Sequence, residues 1–365
     1  MKHIVIDARI INSSTGTYVE RLLTYLQEVD TVNKYTVLVP KKDVNFWQPT
    51  ASNFSIVAAD FKNYSLSEQI GLKKLLDKLA PDLVHFCMPQ QPILYTGKHV
   101  TTFHDLTLLR TYNSDKNWLA YHFKQLVGKY VFKAALKNSS HVLTPSNYTK
   151  SELLKFTNIL PDKITVTHLS ADTSIEEIKP YKPLLYDEYI LYVGQQSDYK
   201  NIRRLGEAHQ KLIANHPNLG LILVGKLNAS ALINKRYFAE NNFNNIVFTD
   251  FIPNSRRDWL YKNTRAYVFP SLMEGFGLPG LEAMGYGAPV ISSDATCLPE
   301  VYGDAAYYFN PLETSDIARA INDVLTDEEL RKSLINKGRD KIKEYSWLRT
   351  AQETHRVYLA ALNGK

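Results

Sequence analysis

Short runs of β-branched and aromatic residues alternate with helical stretches along this chain, and the alternation occurs in two series. Strands separated by helices are typical of parallel sheets with crossover connections. The first series of predicted strands is His3–Ile6, Tyr35–Val39, Phe54–Val57, Leu83–Phe86, His99–Phe103 and His141–Thr144. The second series is Tyr189–Gly194, Leu219–Val224, Ile246–Phe248, Ala266–Phe269, Val290–Ser292 and Ala306–Phe309. The sequence therefore predicts two doubly wound α/β sheets.

The two series indicate two Rossmann-like domains, and 365 residues are enough for two hydrophobic cores. We expect the first domain to span residues 1–175 and the second residues 184–347. Between them, Ser174–Pro183 carries prolines and charges with little periodicity, as a linker does. The C-terminal segment Leu348–Leu362 is predicted to be a helix, and we expect residues 348–365 to complete the first domain. Parallel sheets bind ligands at the carboxyl ends of their strands, so the domains are expected to face a cleft that holds the site.

The N-terminal segment and the cysteines bear on the compartment of the protein. The first apolar run is broken by charges after a few residues, which indicates a buried strand rather than a signal peptide or an anchor. No segment approaches eighteen consecutive apolar residues. Cys87 and Cys297 are isolated and match no metal or redox spacing, so we interpret both as reduced residues of a core or a site. These features predict a cytoplasmic protein.

The formal charge is +6, and the basic excess lies mainly in the first half of the chain. There, Lys124, Lys129, Lys133 and Lys137 recur at helical spacing among apolar residues, which predicts a basic amphipathic helix. One interpretation is a core-packed helix with a solvated lysine face. The other is a patch that contacts anionic lipid at the inner face of a membrane, and so gives the protein a peripheral membrane contact. Nucleic acid is not an expected partner, since the chain has no interleaved basic and aromatic motif.

Two glutamates, Glu274 and Glu282, stand eight residues apart around a glycine-rich turn that follows a predicted strand. The glycines of the turn allow the backbone to approach a ligand, and Leu278–Met284 has the composition of a helix whose first-turn amides suit an anion or sugar hydroxyls. Glu274 would lie in the loop and bind a polyol. Glu282, about two turns into the helix, would hold vicinal hydroxyls such as those of a ribose. A bare pair of glutamates at this spacing also occurs on solvated helix faces.

The intervening Gly-Phe-Gly-Leu-Pro and the trailing Gly-Ala-Pro-Val-Ile make this stretch resemble the Glu-x7-Glu signature of retaining nucleotide-sugar glycosyltransferases of family four. The resemblance extends over most of the chain and is more specific in its second half. It implies a GT-B fold, in which two Rossmann-like domains face a cleft. It also implies that Glu274 is catalytic and that the donor contacts Phe276, Gly277, Leu278 and Glu282.

Lys200 follows the first strand of the second series, in a loop that leads into a predicted helix. A leaving diphosphate gains negative charge as the glycosidic bond breaks, so a fixed cation at this place stabilises the transition state more than the ground state. We predict this catalytic role for Lys200, with a solvated lysine as the alternative. The family commonly has an Arg-Lys pair here, whereas this chain has Tyr199 before Lys200, which makes Arg203 or Arg204 the candidates for a second cation.

Two more candidates lie in the first domain. His104 follows the strand His99–Phe103, and in the family a histidine here lies beside the donor sugar and its leaving phosphate, which implies that His104 is catalytic. Gly16 lies in the loop after the first strand, where a single glycine matches a dinucleotide fingerprint poorly and is often only a turn. The family's equivalent loop comes near the donor phosphates, which implies that Gly16 binds substrate.

The segment from Phe248 to Asn254, followed by Trp259-Leu-Tyr261, resembles the family's loop whose backbone reads the nucleobase. The resemblance implies that Ile252 contacts the base. The usual glycine of this loop is replaced by Asp250, so the identity of the base is left open.

The resemblance implies a retaining, metal-independent hexosyltransferase that needs no cofactor, and the chain has no Asp-x-Asp metal motif. Its partners would be a nucleoside diphosphate sugar donor and a glycan or lipid-linked acceptor. GDP-mannose is the expected donor, because the chain resembles bacterial surface-polysaccharide mannosyltransferases. The alternatives are a non-catalytic sugar-nucleotide-binding subunit, and a sugar-nucleotide epimerase or a phosphorylase on the same architecture.

Overall fold

A computed structural model describes residues 1–110, 118–171 and 177–364, except for the side chains of residues 118–124. The described residues divide into two compact units. The first unit draws on Met1–Leu109, His122–Leu169 and Ser346–Lys365, and the second on Arg110–Tyr121 and Ser170–Tyr345. Residues 174–176 of the predicted linker lie outside the described residues, and the remainder of that segment contains no helix or strand.

The described part of the first unit contains a seven-stranded parallel sheet in the order β3-β2-β1-β4-β5-β6-β7. Its strands are β1 (His3–Asp7), β2 (Lys34–Val39), β3 (Phe54–Ala58), β4 (Leu83–Phe86), β5 (His99–Thr102), β6 (His141–Thr144) and β7 (Ile164–Val166). The strand order reverses between β1 and β4. The loops that follow these strands therefore leave the sheet at the place where doubly wound sheets bind ligands.

The described part of the second unit contains a six-stranded parallel sheet in the order β10-β9-β8-β11-β12-β13. Its strands are β8 (Glu188–Val193), β9 (Leu219–Val224), β10 (Ile246–Phe248), β11 (Ala266–Phe269), β12 (Val290–Ser293) and β13 (Ala306–Phe309). Here the order reverses between β8 and β11. The loop after β8 carries Lys200 and the loop after β11 carries Glu274, so both lie at the reversal point.

Helices connect the strands of each sheet. Those that lie wholly or mainly in the first unit are α1 (Gly16–Val29), α2 (Lys73–Leu79), α3 (Thr107–Arg110), α4 (Trp118–Asn138), α5 (Asn147–Phe156) and α13 (Trp347–Leu362). In the second unit they are α6 (Ile202–Leu212), α7 (Ala229–Glu240), α8 (Asn254–Asn263), α9 (Leu278–Gly285), α10 (Leu298–Tyr302), α11 (Thr314–Thr326) and α12 (Glu328–Lys341). A π-helical segment, Ser67–Leu72, leads directly into α2. None of the helices in the described residues is long and apolar enough to cross a bilayer.

The burial of the strands explains why their sequences are apolar on both faces. Every residue of β4 and of β9 is buried, as expected for parallel strands that are covered by helices on both sides. The helices are amphipathic instead: α1 buries Val19, Leu22 and Leu26 on one side. Each such aliphatic side chain contributes about 1.5–3 kcal/mol when fully buried.

The predicted fold class, two doubly wound α/β sheets, is confirmed, and each predicted strand has a counterpart within a residue or two of its predicted ends. The prediction missed β7, which is only three residues long and has one fully buried side chain. Among the helices, α13 lies against α1 of the first unit. There, the Tyr358 hydroxyl of α13 lies 2.6 Å from Nδ1 of His85 on β4.

Candidate active site

The loops that follow β8 and β11 are joined to each other by backbone and side-chain hydrogen bonds. The Leu272 amide donates to the Tyr199 carbonyl over 2.8 Å. Asn201, held in the left-handed conformation with φ 61°, donates its side-chain amide to the Pro270 carbonyl over 3.1 Å and to the Pro311 carbonyl over 2.7 Å. These bonds hold the two loops at the reversal point as one unit.

Lys200 and Glu274, which the sequence assigned to separate tasks, form an ion pair in this structure. The Lys200 Nζ and a Glu274 carboxylate oxygen are 2.5 Å apart, and the side chains are only 14% and 13% exposed. The ammonium also lies 5.1 Å from the ring centroid of Tyr199 and 5.5 Å from that of Phe269, within the range of cation–π attraction. The structure therefore fixes a positive charge beside Glu274.

The protonation of Lys200 follows from two opposing effects. Burial by itself lowers the pKa of the ammonium, but the Coulombic attraction of Glu274 outweighs it, so the pKa lies above its ordinary value. Lys200 is therefore a cation throughout the physiological range. An anionic ligand that reaches this ammonium competes with Glu274 for it.

The two arginines considered as a second cation have other partners. Arg203 donates from Nε to the Asn234 side chain over 3.3 Å, and its guanidinium lies 5.1 Å from the ring centroid of Tyr237. Arg204 donates to the Asn201 side chain over 3.0 Å. Lys200 is thus the cation that the structure places against Glu274.

Gly277 makes the turn from the Glu274 loop into α9. Its φ of +94° is a conformation that L side chains rarely adopt, and a Cβ there would lie 2.5 Å from the Tyr302 hydroxyl. That hydroxyl donates to the Gly277 carbonyl. In the first turn of α9, Pro279 has no N–H, and the Gly280 amide already donates to Gly277 over 3.1 Å. Fewer amides are therefore available to a ligand than in an ordinary first turn.

The neighbours of this turn, Phe276 and Leu278, differ in burial. Phe276 is buried and packs edge-on against Tyr345, with ring centroids 5.5 Å apart, whereas Leu278 is half-buried. If Phe276 contacts a ligand, it does so through its backbone, because its ring belongs to the core.

Glu282 lies on α9 and faces α8. It is the fifth residue of the helix, so the expectation of two turns was wrong, and the glutamate lies just over one turn from the start. The Tyr261 hydroxyl donates to Oε2 of Glu282 over 3.3 Å. Arg257, one turn earlier on α8, is attracted electrostatically by Glu282. Its guanidinium also donates two hydrogen bonds to the Asp258 carboxylate, over 2.8 and 3.0 Å. The Tyr261 hydroxyl on α8 thus orients one carboxylate oxygen of Glu282.

The predicted nucleobase loop follows β10, and its departure from the family pattern has a structural explanation. Asp250 has φ 60°, a conformation that Asp tolerates better than most residues, and its carboxylate accepts from the Leu227 amide over 3.0 Å. This bond ties the loop after β9 to the loop after β10. Ile252 is buried, whereas Phe251 is 69% exposed, and its ring centroid lies 5.8 Å from the Lys226 ammonium.

In the first unit, His104 is fixed by its neighbours at the carboxyl edge of the sheet. Its Nε2 lies 3.0 Å from the Cys87 carbonyl oxygen, which can only accept, so Nε2 carries the proton and Nδ1 is left as an acceptor. Burial lowers the pKa of His104 to about 4, partly offset by the bond to Cys87. His104 is therefore a neutral imidazole at pH 7.

The Tyr18 ring, on α1, meets the His104 ring edge-on with centroids 4.8 Å apart. The Tyr18 hydroxyl bonds Thr102 over 2.9 Å, and Thr102 bonds His85 over 2.8 Å. The start of α1, where Gly16 lies, is thus held against His104. At Gly16 a Cβ would lie 1.9 Å from the Ile11 carbonyl oxygen, so steric packing alone explains why this position is a glycine.

The structure adds residues to which the sequence analysis gave no individual role in the site. Tyr261 is one, and its signal was present, because Arg257 and Tyr261 stand four residues apart and share a helix face. Thr296 is another, and no sequence pattern indicated it; its hydroxyl accepts from the Glu274 amide. Cys297, which the sequence indicated only as a residue of a core or a site, contacts the Glu274 carbonyl. Among the described residues no cluster of three or more His, Cys, Asp or Glu side chains could hold a metal ion.

Two family models together match most of the chain. Residues 15–175 match the model described as Glycosyltransferase Family 4, and residues 174–341 match the model described as Glycosyl transferases group 1.

Individual proteins show the same likeness. The chain is 30% identical over 272 residues to O-antigen chain mannosyltransferase B of Escherichia coli, which covers 71% of this chain and 69% of the relative. It is also 30% identical over 270 residues to the serotype-specific mannosyltransferase WbdA of Escherichia coli, covering 70% of this chain but only 32% of the relative. HepE of Anabaena, solved in complex with UDP and glucose, has the same fold with a TM-score of 0.76 at 15% identity, covering 99% of this chain and 100% of HepE.

Proposed function

Because the chain belongs to the family four, group 1 glycosyltransferases, we propose that it transfers mannose from GDP-mannose to a glycan or lipid-linked acceptor, with retention of the anomeric configuration. The glycosyltransferase activity follows from membership of the family. The donor, the stereochemistry and the roles of individual residues are our proposal.

The Lys200–Glu274 pair is the observation that carries the proposal. A buried ammonium 2.5 Å from a carboxylate, at the reversal point of a doubly wound sheet, is a preorganised place for a departing diphosphate and for a sugar hydroxyl. We assign the diphosphate to Lys200 and the sugar hydroxyls to Glu274. Donor binding would then replace part of the Lys200–Glu274 contact by one contact for each partner.

Around this pair we assign the remaining contacts of the donor. Glu282 would accept from the ribose hydroxyls. The backbone of Phe276, Gly277 and Leu278 would follow the donor along the start of α9. Ile252 would contact the base, and Gly16 the donor phosphates, on the strength of the family resemblance.

The state of His104 favours retention over inversion. An inverting transferase needs a general base with a pKa near the working pH, on the face opposite the leaving group. His104 has a pKa of about 4 and its Nε2 is committed to Cys87, so it is a poor base for that task. We propose that Nδ1 of His104 accepts from the donor sugar, and that the leaving phosphate helps to deprotonate the acceptor.

We propose that the reaction is metal-independent, because the Lys200 ammonium supplies the positive charge that other transferases take from a metal ion. The argument for mannose rests on the mannosyltransferase relatives, and the argument for a nucleoside diphosphate donor is supported by the UDP complex of HepE.

Donor turnover without acceptor tests the proposed activity. We expect the protein to release GDP from GDP-mannose slowly, yet faster than it releases UDP from UDP-glucose, UDP-galactose or UDP-N-acetylglucosamine. The control is Lys200→Ala, which should lower the release by about 10²- to 10³-fold. A protein that binds GDP-mannose but releases no GDP would be a non-catalytic binding subunit. A protein that converts the sugar without releasing GDP would be an epimerase.

Helix α4 provides the support for a peripheral membrane contact. Its inner face buries Val131, Phe132 and Leu136, whereas Leu126 and Tyr130 on the outside are 67% and 65% exposed. Lys129, Lys133 and Lys137 are exposed on the same helix, while the side chain of Lys124 lies outside the described residues. Exposed apolar side chains among lysines suit an anionic lipid surface. We therefore propose that the protein works at the inner face of a membrane.

Vesicle sedimentation tests this contact. We expect the protein to sediment with vesicles that contain phosphatidylglycerol, and not with pure phosphatidylcholine vesicles. The variant Leu126→Glu with Tyr130→Glu should lose most of the binding, whereas Leu312→Glu, an exposed leucine of the second unit, should not. Binding that is unchanged in the α4 variant would contradict the proposal.

A further inference from the structure

The loop between β12 and α10 forms hydrogen bonds with both the amide and the carbonyl of Glu274. The Glu274 amide donates to the Thr296 hydroxyl over 3.2 Å, and the Cys297 thiol donates to the Glu274 carbonyl over 3.3 Å. The side chain of Glu274 is already fixed by Lys200. The two peptide groups and the carboxylate of this residue are thus held at three separate points.

Further hydrogen bonds join the loop after β12 to the loop after β11. The hydroxyl of Ser293, the last residue of β12, donates over 2.7 Å to the carbonyl of Ser271, in the loop after β11. The same hydroxyl accepts from the Ala295 amide over 3.1 Å. All of these groups are buried or half-buried. Residues 293–297 thus hold residues 271–274 in place through these hydrogen bonds. We call residues 293–297 the cradle.

Within the cradle, Thr296 adopts a backbone conformation of high energy. Its φ is +62°, in the left-handed region, and for a β-branched residue this is a strained backbone. Such strain persists where the surroundings enforce it, and it concentrates at functional sites. A glycine would adopt the same conformation without strain, but it would have no hydroxyl to offer to the Glu274 amide. The strain and the hydrogen bond are therefore separable properties of one residue.

We infer that Thr296 is a positioning residue, which holds the Glu274 carboxylate in the place where it binds the donor sugar. The inference rests on the proposed function of Glu274. Because the Thr296 hydroxyl accepts from the Glu274 amide, its loss should reduce turnover of the sugar and leave the affinity for the nucleoside diphosphate unchanged. The proposed ribose contact is made by a different residue, Glu282 on α9.

Three substitutions separate the hydroxyl from the strain. Thr296→Ser keeps the hydroxyl, Thr296→Ala removes it and keeps the Cβ, and Thr296→Gly removes both. We expect kcat for release of GDP from GDP-mannose, or for whichever of the four tested donors is turned over, to fall about three- to tenfold in the Ala and Gly variants and to stay within about twofold in the Ser variant. Thr296→Gly should melt no lower than Thr296→Ala, since it is relieved of the strain.

The controls decide what a loss of activity means. The dissociation constant for the nucleoside diphosphate, measured by calorimetry, should be the same in all three variants and in Thr326→Ala, which removes an exposed threonine hydroxyl from α11. Wild-type kcat in both the Ala and Gly variants, or a nucleotide affinity that falls together with kcat, would overturn the positioning role. Full turnover in Glu274→Gln would instead overturn the proposed function of Glu274, and the inference with it.

Discussion

Lys200 is the residue on which the proposed chemistry depends most, because it is the buried cation beside Glu274. In Lys200→Ala the developing charge of the diphosphate would lose its fixed partner. We predict that turnover at saturating donor falls by about 10²- to 10³-fold, as it does when one preorganised stabiliser is removed. The matched control is Lys211→Ala, an exposed lysine of α6, which should keep its turnover. Full turnover in Lys200→Ala would exclude the assignment and direct attention to Arg203 and Arg204.

Glu282 should matter for binding the nucleotide rather than for the chemical step. Loss of a charged acceptor costs about 1.5–3 kcal/mol, so Glu282→Ala should weaken nucleoside diphosphate binding roughly ten- to a hundredfold in calorimetry. The ligand supplies its own control. With a 2′,3′-dideoxy nucleoside diphosphate the wild type and the variant should bind equally, because the hydroxyls that Glu282 would accept from are absent. A penalty that persists with the dideoxy ligand would contradict the ribose assignment.

At the residue scale, the sequence indicated which side chains could carry chemistry but not which of them meet. The glycine-rich setting of Glu274 and Glu282 was visible because both lie in one short segment. The contact between Lys200 and Glu274 joins residues 74 positions apart, and no spacing reveals it. Thr296 was missed for a related reason, since its importance comes from a backbone conformation that propensity argues against.

At the scale of elements, the start of α1 depends on Gly16. A Cβ at this position would lie 1.9 Å from the Ile11 carbonyl oxygen, a backbone atom that cannot rotate away. We predict that Gly16→Ala destabilises the protein by about 1–3 kcal/mol, measured by denaturant unfolding, because the loop or the helix must move. Gly128→Ala on α4 is the control: its Cβ would meet only the Leu109 side chain, at 3.3 Å, so the change should be smaller. Equal stability of Gly16→Ala and wild type would show that the loop has room.

The elements were predicted well wherever burial imposed a clear pattern. Strands such as β9 are buried along their whole length, and a continuous apolar run is a strong signal. The sequence predicts a helix over Ser67–Leu79, but not that its first part, Ser67–Leu72, is π-helical, because no residue pattern distinguishes a π-turn from an α-turn. Within this segment Glu68 pairs with Arg9 over 2.9 Å. The short β7 gave too few residues for a period to emerge.

At the scale of the whole molecule, buried neutral histidines set the dependence of stability on pH. Burial lowers the pKa values of His85, His104 and His209 from 6.5 to about 3, 4 and 4. Below pH 6.5 the unfolded chain takes up protons that the folded protein does not, so the free energy of unfolding falls as the pH falls towards 4. Above about pH 7 these groups have no effect. Each contributes about 1.4 kcal/mol per pH unit within that window.

Urea unfolding at pH 7.5, 6.5 and 5.5 measures this effect. We expect the free energy of unfolding to change little between the first two values and to drop clearly at the third. In His209→Gln the drop should be smaller, since one of the three histidines is gone. A free energy of unfolding that is unchanged down to pH 5.5 would mean that these histidines titrate normally in the folded protein.

The proposed retention of configuration is the central claim, and the anomeric configuration of the product tests it most directly. Proton NMR of the mannoside made from GDP-mannose, in the presence of chelator, shows which anomer is formed and whether a divalent metal is needed. Because His104 is a poor general base and Lys200 supplies the positive charge, we predict that the product keeps the α-configuration of the donor and forms without added metal. An inverted product, or no product until metal is restored, would contradict the proposed mechanism while leaving the fold and the family unchanged.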